Sequence, residues 1–215
     1  MIRSASLIGG YFVVWAIVHS VLASLRVKEG VRSTLGEGVY RWYRFGFVIF
    51  ALLSFAPLLP MLALLPDRVL YIVPSPWRWI MVAFQSGCVI GIGVTLLQTD
   101  LVRFAGLTAL LGGGKDEEEN PDLVIRGAYC YVRHPMYVFS ILLIWLMPAM
   151  TVNLLVLFAL FTLYFVLGSL HEEQLLLARF GDAYREYQER VPRFIPRLHC
   201  DYDGGETSPG RERPG

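Results

Sequence analysis

The sequence predicts an all-α integral membrane protein: five transmembrane helices, the fourth and fifth forming a tight helical hairpin, followed by a cytoplasmic interfacial helix. Three observations lead there. Of the 215 residues, 55% are hydrophobic and only 17% charged, with a mean hydropathy of +0.50, more apolar than a soluble domain of this size. Long uncharged runs match the roughly 20 residues that a helix needs to cross a bilayer. The basic residues fall almost entirely on one side of the resulting topology.

Taken in order, the first run is Ser4 to Leu25, with His19 its only ionisable group. No small-residue cleavage site is followed by soluble sequence, so this reads as a membrane helix rather than a cleaved signal. Phe45 to Leu65 and Trp79 to Gln98 carry no charge at all. Met136 to Leu170 is also free of Asp, Glu, Lys, Arg and His. As one helix it would be about 50 Å long at about 1.5 Å per residue, far beyond the hydrocarbon core. Pro148 and Asn153 interrupt it, so two shorter helices turning around "MPAMTVN" are expected.

With the N-terminus outside, all 19 Lys and Arg except Arg3, Arg68 and Arg78 lie on the cytoplasmic side. This is the positive-inside pattern, and it places the C-terminus in the cytoplasm, with a bacterial inner membrane as the expected location. Residues 1–198 read as one membrane-embedded domain, with a cofactor module over about 121–198. "GGGKDEEENPD" reads as a solvated acidic loop. Phe180, Tyr184, Tyr187 and Val191 recur at helical spacing and predict the apolar face of an interfacial helix, which Pro192 and Pro196 end. Residues 199–215 have the composition of a disordered tail.

A net charge of +1 and the lack of a basic patch with interleaved aromatics speak against a nucleic-acid partner. Cys88, Cys130 and Cys200 are too few and too scattered for a disulfide framework or a zinc site, so Cys130 reads as a packed thiol and no metal is expected.

The chemistry concentrates in "GAYCYVRHPMYVFS". Proline is favoured in the first turn of a helix, so a helix starts near Pro135, with Arg133 and His134 at its cytoplasmic mouth. Such a start attracts anions; a basic pair anchoring the helix to headgroups is the plainer reading. Glu172 and Glu173 follow the apolar run and return to the same face. The hairpin therefore gathers Tyr129, the segment His134 to Tyr137, and a helix exit at Glu172. Aromatic faces and carboxylates suit a cation, and the basic pair suits an anionic end. S-adenosylmethionine, a zwitterion with a sulfonium, matches both, which makes Arg133, His134, Tyr137, Glu172 and Glu173 candidate ligands.

"LVIRGAYCYVRHPMY", then a hairpin, then "EEQLLLARFGDAYREYQERVPRFIP", resembles the isoprenylcysteine carboxyl methyltransferase and phospholipid methyltransferase-like superfamily over Leu123 to Pro196. That resemblance implies a membrane methyltransferase using S-adenosylmethionine from the cytoplasm and an acceptor that is lipophilic or small: a carboxylate, a thiol or a lipid amine. By position it implies cofactor contacts at Leu123, Val124, Tyr129, His134, Pro135, Met136, Tyr137 and Glu172. Prenylcysteine enzymes carry a substrate-binding arginine one turn before the equivalent of Glu172; this sequence has Gly168 there.

"WAIVHSVLASLRVK" and "YRWYRFGF" resemble bacterial relatives of the NnrU and methanethiol S-methyltransferase type. An ionisable group deep in a span is a functional candidate, so His19 joins His134 as a candidate catalytic residue. Tyr40, Arg41 and Tyr43 are possible neighbours of His19, or an interface belt. Two other readings remain at this stage: a sterol-reductase-like enzyme using NADPH, and a non-enzymatic lipid-binding or accessory membrane protein.

Overall fold

The computed structural model describes residues 2–99, 123 and 125–200. The acidic loop, Val124 and most of the C-terminal tail lie outside the described residues. Among the described residues, four helical stretches are long and apolar enough to cross a membrane: Ile2–Ala23, Leu25–Leu64, Trp77–Gln98 and Val152–Phe180. Helix α1 is Ile2–Ala23. α2 is Leu25–Phe55, and α3, Leu58–Leu64, continues its course past Pro57. α4 is Trp77–Gln98, and a 3-10 turn covers Gly127–Cys130. α5 is Pro135–Trp145, α6 is Val152–Phe180 and α7 is Asp182–Arg190. Many large apolar side chains point outward, among them Leu53, Leu59, Ile90 and Leu97. Apolar surface on this scale belongs against lipid rather than water.

Three expectations change. The basic segment after the first span is helical from Leu25, and the chain bends at Gly36, whose φ of 79° is one that side chains beyond glycine rarely adopt. Polar residues such as Arg26, Lys28 and Arg32 thus sit on a short helix before the bend, and the helix that carries the second apolar run begins well before Phe45. The last long helix does not exit at Glu172: it runs on to Phe180 and stops at Gly181, so the two glutamates lie inside a continuous helix.

The third change concerns the hairpin. α5 has 11 residues, about 16 Å of helix, roughly half of a bilayer core. Past α5 the chain continues beside α6 in extended form. Trp145 at the end of α5 donates to Thr162 Oγ1 (2.9 Å), midway along α6, whereas His134 meets Glu173 near the other end. Beyond Trp145, strand β2 (Ala149–Thr151) pairs antiparallel with strand β1 (Val69–Ile72), from the α3–α4 connection. Val73 N–H donates to Pro148 O (2.8 Å) and Val152 N–H to Arg68 O (3.0 Å). Backbone groups beyond the reach of water need such partners. The apolar run gave no period-two pattern from which this ribbon was readable.

Asp67 secures the far end. Its Oδ1 accepts from the N–H groups of Arg68 (2.7 Å) and Asn153 (3.1 Å). Burial pushes its pKa up, but hydrogen bonds from Thr151, Asn153, Arg68 and Val152 outweigh that and hold it below the usual value.

α1 packs along α6, and α4 along α5. One core joins Ile8 and Phe12 of α1, Leu58 of α3 and Leu157 of α6. A second forms where α7 folds back: Tyr184, Tyr187 and Val191 pack on Leu123, Ile125, Leu176, Leu177 and Phe180. This is the apolar face read from the sequence. Between α4 and α5, Gly91 lies under the ring of Phe139; a Cβ at 91 would come within 2.8 Å of it. Replacing Gly91 by Val should destabilise the fold by about 1–3 kcal/mol through overpacking. Thermal unfolding in detergent will show it as a lowered midpoint, largely restored when Phe139→Ala makes room.

Candidate functional site

Gly127 begins the 3-10 turn with φ 65°, a conformation suited to glycine. The Gln98 side chain crowds against it and accepts from Ala128 N–H (3.3 Å). The end of α4 therefore sets the position of Tyr129. From the other side, Tyr187 of α7 donates to Tyr129 O (2.7 Å). The segment after α7 then runs back as a strap: Arg133 N–H donates to Pro192 O (2.9 Å), His134 N–H to Arg193 O (3.4 Å), and Arg197 N–H to Tyr131 O (3.0 Å). This return brings the Cα atoms of Cys130 and Cys200 to 5.4 Å, and the two form a disulfide. The expectation of a lone packed thiol at Cys130 fails because the strap retraces the turn, a proximity that sequence separation hides. Cys88 is buried and free.

Glu172 and Glu173 divide sharply. The Glu173 side chain is 5% exposed. Its carboxylate receives Arg193 Nε (3.0 Å) and Nη2, Gln188 Nε2 (3.1 Å) and His134 Nε2 (3.1 Å). Arg133 Nε lies 3.1 Å away as an ion pair outside hydrogen-bond alignment, while its Nη1 donates to Gln188 O (3.2 Å). Arg193 has its pKa raised first by the hydrogen bond to Glu173. Both oxygens of Glu173 are thus occupied by protein groups, and Arg133 faces Glu173.

Glu172, 48% exposed, has its Oε2 3.7 Å from His134 Nδ1 and accepts from Tyr137 OH (2.9 Å). His134 is stacked on Tyr137, with centroids 5.3 Å apart and planes within 4°. Tyr137 is in turn stacked on Phe165 of α6 (5.3 Å). Burial lowers the pKa of His134 even though Glu172 and Glu173 pull the other way, so its imidazole is neutral at pH 7. With Nε2–H donated to Glu173, Nδ1 presents a lone pair towards the Glu172 carboxylate. Burial, and then the charge of Glu172, push the Tyr129 phenol up to about 12, against a hydrogen bond with Thr99.

The structure thus gathers Tyr129, His134, Tyr137 and Glu172 around one spot, with Pro135 and Met136 in the first turn of α5 behind them. Leu123 instead packs with the core under α7, and Val124 is outside the described residues. His19 stands apart on α1. Its Nδ1 lies 2.8 Å from Tyr164 OH of α6, and its ring is stacked on Trp15 (4.8 Å) and packed against Phe47 (4.9 Å). Tyr43 donates to Leu22 O (2.6 Å), close to the end of α1. Sequence reasoning missed Arg193, Gln188 and Tyr164. A spacing of α6 residues from Tyr164 through Gly168 to Glu172 was the one signal that pointed to Tyr164. Among the described residues, no group of three His, Cys, Asp or Glu is placed to hold a metal ion.

Residues 81–183 match the family model described as phospholipid methyltransferase. Methanethiol S-methyltransferase 1 of Bradyrhizobium diazoefficiens is 30% identical over 191 residues, 85% of this chain and 63% of its own length. A methanethiol S-methyltransferase of a Pseudomonas species is 32% identical over 130 residues, 58% of this chain and 49% of its own. Methanethiol S-methyltransferase 2 of Bradyrhizobium diazoefficiens is 45% identical over 71 residues, 33% and 27% respectively. The chain therefore spans less than two thirds of the length of these curated relatives. No solved structure matches the chain.

Removing one partner of a buried ion pair strands the others, at a cost of about 3–5 kcal/mol. Glu173→Ala should therefore lower the thermal midpoint in detergent and expose the segment after α7 to limited proteolysis. Glu172→Gln, at a half-exposed position, should leave both measurements near wild type.

Proposed function

We propose that this chain, whose residues 81–183 belong to the phospholipid methyltransferase family, is an integral membrane methyltransferase that uses S-adenosylmethionine and methylates a small thiol. The observation that carries the cofactor reading is the juxtaposition of Glu172 Oε2 and His134 Nδ1. Two acceptors face one another beside tyrosine rings, an arrangement that a cation relieves. A sulfonium fits it: the carboxylate supplies charge, and the ring of Tyr129 supplies quadrupole attraction. The first-turn N–H groups of Met136 and Tyr137 have no acceptor within the helix and suit the cofactor's carboxylate. Arg133 and Glu173 hold the site together from behind.

Bound there, S-adenosylmethionine supplies an electrophilic methyl group, so the chain's own task is alignment and exclusion of water. The stack of His134, Tyr137 and Phe165 walls the site on the membrane side. His134, neutral and anchored through Nε2, orients the site rather than carrying a proton away. A thiol acceptor is suggested by the printed names of the relatives. Gly168 adds to this, because a position from which an arginine could receive an acceptor carboxylate carries no side chain here.

In the topology that fits this reading, α5 and its extended continuation make the fourth of five crossings, with the N-terminus outside and the C-terminus cytoplasmic. The site then opens to the cytoplasm, and the acceptor arrives through the membrane. The setting is the bacterial inner membrane, with lipids as the surrounding partner.

Glu172→Gln and His134→Ala should each weaken S-adenosylmethionine binding about 10–100-fold, the loss of one charge-assisted contact. Titration calorimetry on the purified protein in detergent measures this. Unchanged affinity in both folded variants would remove the site assignment.

A further inference from the structure

We infer that the row Tyr164–Gly168–Glu172 of α6 is the seat of the methyl acceptor, and that the Tyr164–His19 pair takes the acceptor's thiol proton. The inference rests on the methyltransferase reading above and supplies its acceptor end.

Residues four apart stack along one face of a helix, about 6 Å from one to the next. Tyr164, Gly168 and Glu172 form such a row. The middle position has no side chain. A Cβ there would lie 3.9 Å from Tyr137 OH and, among the described residues, meet no other side chain within 4 Å. A hollow therefore sits on α6, with the Glu172 carboxylate on one side, the Tyr164 phenol on the other, and Tyr137 above. Phe165 and Phe161, stacked at 5.9 Å, continue the apolar wall. The hollow suits one sulfur and a short alkyl group.

The Tyr164 hydroxyl has its own hydrogen-bond partners, His19 Nδ1 at 2.8 Å and Ser20 Oγ at 3.3 Å. It also lies within electrostatic reach of Tyr137. Trp15 is stacked on the imidazole and Phe47 packs against it. A histidine that only filled space in α1 would be served by a backbone carbonyl. This one is joined to the phenol that borders the hollow.

The thiol proton passes to the Tyr164 oxygen while the phenol proton passes to His19 Nδ1. The freed sulfur pair forms the new S–CH3 bond, and the methyl–sulfonium bond breaks with its pair left on the departing sulfur. One positive charge moves from sulfonium to imidazolium, so no net charge is created in a medium where isolated charges are costly. The imidazolium returns its proton to solvent before the next turnover.

Two acceptors of similar size separate proton removal from packing: ethanethiol, protonated at mildly alkaline pH, and trifluoroethanethiol, already ionised there. The full chain in detergent with S-adenosylmethionine should methylate both. In Tyr164→Phe, ethanethiol turnover should fall about 100-fold or more, the usual worth of a positioned acid–base group. Trifluoroethanethiol turnover should stay within about threefold of wild type. Gly168→Leu should abolish ethanethiol binding, measured by calorimetry without methyl donor, and leave S-adenosylmethionine affinity intact. Equal losses for both thiols in Tyr164→Phe, or retained thiol binding in Gly168→Leu, overturn the seat while leaving the methyltransferase reading standing. A wild-type protein that methylates neither thiol overturns the acceptor class itself.

Discussion

A single buried carboxylate holds together the end of this protein at which α5 begins. Glu173 sits on α6, yet the groups that satisfy it come from the start of α5, from α7 and from the strap beyond. Burying a carboxylate is costly unless it is fully paired, so each donor is bound to the geometry of the others. That requirement fixes His134 by one ring nitrogen and leaves the second for the open side. It also consumes Arg133 and Arg193, whose charges would otherwise compete for Glu172. Neighbouring glutamates in one helix thereby acquire opposite roles: one anchors, the other remains half exposed and available.

The aromatic side chains extend this order into the apolar layer. His134, Tyr137 and Phe165 form a stack that passes the orientation set at Glu173 along α6. At its other end Phe12, Trp15 and Tyr164 tie α6 to α1. Without a hydrophobic driving force between helices inside lipid, shape and hydrogen bonds decide how the helices pair. The close approach at Gly91 and the His19–Tyr164 contact are examples of each.

Much of this was legible in the sequence, and the reasons differ from place to place. The apolar runs revealed three of the long helices because hydropathy directly reports a need for lipid. The start of α5 was readable from Pro135, and the inward face of α7 from the spacing of Tyr184, Tyr187 and Val191, with Phe180 falling instead at the end of α6. The length of α5 was not, since an uncharged run looks alike whether its backbone is coiled or extended. The pairing of Cys130 with Cys200, and the ties from Arg193 and Gln188 to Glu173, depend on the chain folding back after Val191. A linear pattern carries no distance across such a return. The division of labour between Glu172 and Glu173 was equally hidden, because adjacent residues on a helix point about 100° apart and only packing says which way is inward.

The ribbon of β1 and β2 has a consequence for how the protein is made. Residues 149–151 pair as a strand rather than coil as a helix, and their partner strand lies in the connection between α3 and α4. That connection is translated about eighty residues earlier, so it is made before the segment that pairs with it. Biogenesis thus runs with the grain of the sequence: the first half builds a template and the second half docks on it. A chain with the halves permuted would have to insert the extended stretch before anything existed to receive it.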